Sequence, residues 1–270
     1  MMTLEVGSLA NLAAGRNRPE LHDLPRVAIE EFQLRGLTLR ASLLAGRTGR
    51  DLDRLRDAAD KVACPCLTLI DDVELDLASS DPEVGSLAMD RLQRLATVAS
   101  RLGCSGLGIS CRAAAGADLD ALAVAVRRGL QSIEKHELNL LIAPSAKDGA
   151  LLQVEAMTDL IRRVGGFRIG CMPGFAHAAR TADAEATLRR LAPYSTVILA
   201  ELDAVFGTSA RIADAAWTRL GEFVSAIRAV NFSSTLALSS RAKDAAKRIR
   251  LAREHLEGAL AAVPDADEEA

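Results

Sequence analysis

Aromatic side chains are scarce in this chain. They make up 3% of 270 residues, and Trp217 and Tyr194 are the only Trp and Tyr. That argues against a stacking platform for nucleic-acid bases and leaves a core to be built from Leu, Val, Ile and Ala. A surplus of charge is missing as well: 33 Lys and Arg stand against 36 Asp and Glu, a formal net charge of −3. Such a balance exerts no overall pull toward nucleic acid or an anionic membrane surface. No apolar run approaches the roughly 18 residues needed to span a bilayer, and no charged-then-apolar leader opens the chain. Cysteine is odd in number and scattered, at Cys64, Cys66, Cys104, Cys111 and Cys171, which suits a reducing cytoplasm better than a disulfide framework. The expectation is a cytoplasmic protein with no nucleic-acid or membrane partner.

Familiar short motifs are incomplete. Gly103-Cys104-Ser105-Gly106 lacks the glycine two places after the serine that a nucleophile elbow requires. Gly46-Arg47-Thr48-Gly49-Arg50 has no Lys followed by Ser or Thr, so it is not a phosphate-cradling loop. Cys64-Pro65-Cys66 has one residue between its thiols, and no second pair completes a zinc site. Asn231-Phe232-Ser233 fits a glycosylation sequon but leads into a core strand.

What the chain does have is a repeated unit: a short apolar run, a polar loop, then an amphipathic helix. The runs fall at 36–44, 66–70, 107–110, 138–143, 167–171, 196–200 and 235–238, with 3–9 ahead of them. Short buried runs of Leu, Ile and Val are what a parallel strand covered on both faces requires. Between them, helical spacing places Leu87, Leu92, Leu95, Ala99 and Leu102 on one face. Leu119, Leu122, Val126, Leu130 and Ile133 share another, as do Met157, Leu160, Ile161 and Val164, and then Ile212, Ala216, Leu220, Phe223, Val224 and Ile227. Asp81-Pro82-Glu83 reads as a capped helix start, and Gly165-Gly166 as a helix end. Units of roughly 30 residues make about eight in this length. The expected fold is therefore α/β, a single (β/α)8 barrel over 1–263 followed by a flexible acidic tail over 264–270. A doubly wound open sheet would usually carry a Gly-rich phosphate turn after its first strand, and none is present.

In such barrels chemistry sits at the carboxyl ends of the strands. The polar residues that follow the runs are Arg40 and Ser42; Asp71, Asp72 and Glu74; Ser110 and Arg112; Ser145, Lys147 and Asp148; His177; Glu201 and Asp203; Ser239, Ser240 and Arg241. Arg112, Lys147 and Arg241 have the chemistry to clamp a carboxylate or phosphate, with Arg112 offering a bidentate fork and Asp203 beside them. Asp71, His177 and Glu201 have the chemistry to move protons. The plain alternative for each is a solvated loop charge or a helix cap. His22, His136 and His255 lie in helical stretches and read as surface residues.

Segments 51–66, 138–144, 164–177 and 235–239 resemble the xylose-isomerase-like barrels, the sugar phosphate isomerase/epimerase superfamily. The resemblance implies a divalent metal held by a Glu ending strand five, an Asp ending strand six, a His near strand seven and a Glu ending strand eight. Laid on this chain, those positions fall at Ala143, Gly174, the neighbourhood of Ala200 (with Glu201 adjacent) and Ser239; the His three places after the strand-six position is kept as His177. Methyl, hydrogen and hydroxyl groups do not replace carboxylates around a hard cation. The expectation is no metal and no other cofactor. Three readings stay open. The chain binds a small, anionic, sugar- or polyol-like ligand without turning it over; or it is an isomerase or epimerase with a rebuilt site; or it is an interaction scaffold, with self-association into a homo-oligomer through its helices.

Overall fold

The computed structural model describes residues 1–7, 19–113, 118–144, 149, 151, 153–207 and 211–261. Lys147, Ser145, Asp148 and the acidic tail lie outside the described residues. Eight strands form one parallel sheet: β1 Met2–Val6, β2 Leu37–Arg40, β3 Cys66–Leu75, β4 Gly106–Cys111, β5 Asn139–Ala143, β6 Ile169–Cys171, β7 Val197–Glu201 and β8 Thr235–Ser239. Their order is β6-β5-β4-β3-β2-β1-β8-β7, with β8 pairing β1 through Met2–Leu236 and Leu4–Leu238. Isolated bridges, Cys171 to Ser195 and Gly174 to Leu199, join β6 to β7 and close the ring.

Helices lie between the strands: α1 Leu24–Phe32, α2 Gly49–Lys61, α3 Pro82–Arg101, α4 Leu119–Ser132, α5 Val154–Val164, α6 Phe175–Ala178, α7 Ala184–Leu191, α8 Leu202–Phe206, α9 Asp214–Arg228 and α10 Ala245–Ala261. Local chemistry starts several of them. Thr48 and Asp51 form a capping box on α2, and Asp81 caps α3 by accepting from the Glu83 N–H, with Pro82 at the first position. Gly165 and Gly166, at φ 71° and 88°, end α5 in the left-handed region that only glycine enters cheaply. Among the described residues no helix is long and apolar enough to cross a membrane.

Because successive strand residues face opposite ways, the strands feed two apolar layers. Leu4, Leu37, Leu39, Leu107, Ile109 and Leu140 pack outward with the helices. Ile70, Leu141, Met172, Val197, Leu199 and Ala237 fill the barrel. Gly108 makes room for one of these: a Cβ there would stand 2.6 Å from the Met172 Cε. Below that layer the Thr3 and Thr38 hydroxyls meet at 3.1 Å.

The structure departs from the sequence reading at a few places. The chain leaves β2 at Arg40 in a 3-10 turn over Ala41–Leu44, and β3 runs on to Leu75 with its register shifted between Ile70 and Glu74. β6 begins at Ile169, and Phe167, expected within the strand, is 89% exposed after the glycine turn. Leu87 is 58% exposed because it sits about 140° round the helix from Leu92, while α3 buries Ala88, Leu92, Leu95, Ala96 and Ala99.

Candidate functional site at the strand ends

The mouth of the barrel is organised around an ionic chain across three neighbouring strands. Glu5, flanked by outward-facing Leu4 and Val6, has a side chain only 4% exposed. Its Oε1 accepts from Arg40 Nε at 2.5 Å. Arg40, the last residue of β2, also donates from Nη1 to Asp72 Oδ1 at 3.4 Å, and Asp72 Oδ2 accepts from the Ser42 N–H at 2.8 Å. Gly7 lets the arginine lie flat over the end of β1, since a Cβ there would meet Arg40 Cδ at 3.1 Å. Burial alone would lower the Arg40 pKa, but Glu5 and then Asp72 more than offset it, so the guanidinium stays charged. Glu5 Oε2 is buried with no hydrogen-bond partner among the described residues.

Across the mouth, Glu201 ends β7 and accepts from the Ala176 N–H at 3.1 Å. Its carboxyl occupies the space over Gly174: a Cβ on that glycine would stand 2.8 Å from Oε1, 2.9 Å from Cδ and closer still to Oε2. Burial, with the Glu5 charge second, pushes the Glu201 carboxyl up to about 7, against the opposing pull of the Ala176 N–H and Arg40. Asp203, in the first turn of α8, accepts from Ser240 Oγ at 2.6 Å and from the Arg241 N–H at 2.5 Å. It thereby ties the loop after β7 to the loop after β8. The mouth holds a cavity of about 270 Å³ lined by Glu5, Val6, Gly7, Arg40, Ser42, Asp72, Ser239, Ser240, Arg241 and Ile249.

The structure brings some of the expected residues together and sends others elsewhere. Arg241 lines the cavity, and Glu201 and Asp203 stand beside it. His177 is buried within α6, next to the Ala176 N–H that reaches Glu201, and is not a lining residue. Asp71 departs from its expected role. It faces out of the barrel with a fully buried side chain, gripped by Arg91 of α3 through bonds of 2.7 and 2.6 Å, and accepts from the Val73 N–H. Its place is a strand-to-helix fastening, because Asp71 and Asp72 point to opposite faces. Asp71→Ala is accordingly expected to lower stability by about 2 kcal/mol in urea denaturation, the scale of a charge-assisted bidentate contact; an unchanged midpoint would refute the fastening. Arg112 also departs from expectation. It lies on the rim, 63% exposed, 3.6 Å from Glu74, because the extended β3 carries Glu74 up beside it. Glu5 escaped the sequence reading. The available signal was a lone acid inside an apolar run, on the same face as Thr3.

The metal implied by the family resemblance does not fit these residues. Ala143, Gly174 and Ser239 supply no carboxylate, the space over Gly174 is filled by Glu201, and the Arg40 cation lies among the remaining acids. Among the described residues no three His, Cys, Asp or Glu side chains converge as metal ligands.

No protein-family model and no curated protein sequence matches the chain. Solved structures do. A 3-keto-D-glucoside 4-epimerase from E. coli superposes with TM-score 0.70 at 13% identity, over 96% of this chain and 98% of that one. A D-psicose 3-epimerase from Clostridium cellulolyticum, crystallised with D-tagatose, gives 0.71 at 12%, over 96% and 98%. A D-tagatose 3-epimerase-like protein gives 0.75 at 10%, over 97% and 99%. At these identities the likeness is one of architecture, and it spans the whole barrel: this chain has the fold of the xylose isomerase-like (β/α)8 barrels.

Proposed function

We propose that the strand-end cavity binds a small sugar-like or polyol-like ligand carrying an acidic group. The observation that carries this reading is the cavity itself. Its walls alternate hydroxyls (Ser42, Ser239, Ser240), carboxylates (Glu5, Asp72) and guanidinium groups (Arg40, Arg241). Such a wall offers both donors and acceptors to a polyhydroxylated molecule, in a volume suited to a small one. Neighbours of the same fold act on sugars, which supports the substrate class. Arg241, exposed at the cavity rim with its backbone held by Asp203, is the residue for the acidic group. Its fork binds a carboxylate or phosphate with two parallel bonds. Asp203 is then a positioning residue.

A second reading, isomerase- or epimerase-type turnover, is favoured by Glu201. A carboxyl held near neutrality is matched to taking and returning a proton at working pH. Such a site would work without a divalent metal, and wild-type binding should then be unchanged by EDTA. All five cysteines are free and buried, in keeping with a protein working in the cytoplasm.

Thermal-shift screening of aldoses, ketoses and sugar acids, followed by titration calorimetry, tests the proposal. Arg241→Ala should weaken binding of the best acidic compound about ten-fold or more, equivalent to at least about 1.4 kcal/mol, with the melting point of the free protein barely moved. Arg112→Ala should leave that affinity unchanged. Equal affinity in wild type and Arg241→Ala would remove the anion site, and a screen with no binder would remove the ligand.

A further inference from the structure

We infer that Arg40 is the resident cation of the acid cluster at the barrel mouth: its guanidinium, fixed between Glu5 of β1 and Asp72 of β3, supplies the positive charge between them and keeps divalent metal out. The inference stands whichever ligand the cavity takes.

Three strands bring acids to the mouth: Glu5, Asp72 and Glu201. Arg40 bonds directly to the first two and attracts the third. The Glu5 side chain is 4% exposed, and its second oxygen has no hydrogen-bond partner among the described residues. A carboxylate so far from water is sustained only by an opposite charge close by. Among the described residues the one that touches it is Arg40, itself 17% exposed and fitted over Gly7. This is a built arrangement rather than a chance surface pair.

A guanidinium and a divalent ion satisfy such a cluster differently. Arginine is permanently charged, planar and tethered, and does not dissociate. A hard divalent ion needs several oxygens converging at about 2.0–2.6 Å. With Arg40 between them, Glu5 and Asp72 each face nitrogen, and a second cation would meet both a steric block and a like charge. Taking the guanidinium away leaves Glu5 and Asp72 on the wall of a cavity of about 270 Å³, with Glu201 beside it and without the cation that bridged them, while Arg241 stays at the exposed rim. Neutralising the acids by an ion that retains some of its water is then the natural outcome.

Mn2+ alone is the probe, read by titration calorimetry and by the shift in melting point. Wild type should show no site that Glu5→Gln abolishes. Arg40→Met should acquire one that is at least about ten-fold tighter than any wild-type binding, and Arg40→Met combined with Glu5→Gln should lose it again. Arg40→Lys keeps the charge and should bind no Mn2+. A wild-type Mn2+ site that depends on Glu5 would overturn the inference, and so would a folded Arg40→Met variant that gains no site. If Arg40→Met does not fold on its own, refolding in Mn2+ decides: recovery of structure supports the inference, and failure with the metal present overturns it. Because no sugar enters the experiment, its outcome is separate from that of the ligand proposal.

Discussion

Replacing Arg248 by alanine is expected to lower the unfolding free energy by about 3–5 kcal/mol, the range for breaking a buried charge network by removing one partner. Arg248 has no exposed surface. Its Nε donates to Asp244 Oδ1 at 2.8 Å, its Nη1 to the Gly207 carbonyl at 2.6 Å, and Nη1 lies 3.5 Å from Asp203 Oδ1. One side chain of α10 therefore holds the end of α8 and, through Asp203, the loop after β8 that walls the cavity. Truncation leaves the Gly207 carbonyl short of a donor and opens a void where the largest fully buried side chain among the described residues stood. Asp203 and Asp244 keep partial contact with water, at 27% and 33% exposure, which holds the loss toward the lower end of the range. Arg248→Met separates the two contributions, since it refills much of the void while restoring no hydrogen bond. Urea denaturation of the three proteins measures both effects. A loss below about 1 kcal/mol for the alanine variant would mean that the network contributes little to stability.

Glu201 should make the folded protein less stable as pH rises, a sign opposite to that of most carboxylates. Its pKa is raised from 4.5 to about 7 by burial and by Glu5. The folded state therefore holds the proton more tightly than the unfolded chain does. Stability from this group is greatest below the unfolded pKa, falls as pH climbs from about 4.5 to about 7, and is level above that. The full loss is about 3 kcal/mol, at 1.36 kcal/mol for each pKa step. Glu201→Gln keeps the shape and an acceptor for the Ala176 N–H but carries no titrating proton. It should match wild type near pH 4.5 and exceed it at pH 8 by about 2–3 kcal/mol. Denaturant midpoints across that range, plotted as variant minus wild type, cancel the titrations that the two proteins share. Parallel curves would show that Glu201 is an ordinary solvated acid and would take away the main support for a proton-transfer role.

The strands were legible because a parallel strand covered on both faces must be apolar nearly throughout, and runs such as Leu140 to Ile142 or Ile198 to Ala200 have few other uses. The helix start at Asp81 was legible because capping is a local act of one side chain on backbone a few residues away. Phe167 and Leu87 were misplaced by the same reasoning, since apolar character says that a residue prefers burial and not that a neighbour is there to bury it.

The candidate site divides along the same line. By itself the sequence determined the repeating unit, the barrel, and the polar residues waiting at the strand ends, because these follow from periodicity and from the direction of the chain. It also showed that Ala143, Gly174 and Ser239 lack metal-binding carboxylates. Only the tertiary structure decided which acids face inward. Asp71 and Asp72 are adjacent, and strand alternation sends one to Arg91 outside the barrel and the other to Arg40 within the mouth. Glu5 and Arg40 are 35 residues apart and meet because β1 pairs with β2 in the register that sets Glu5 beside Thr38. Glu201 finds its slot over Gly174 only after the ring closes between β6 and β7. Register and closure are set by long-range packing, so the pairings that give these residues their charge states and neighbours cannot be read one segment at a time.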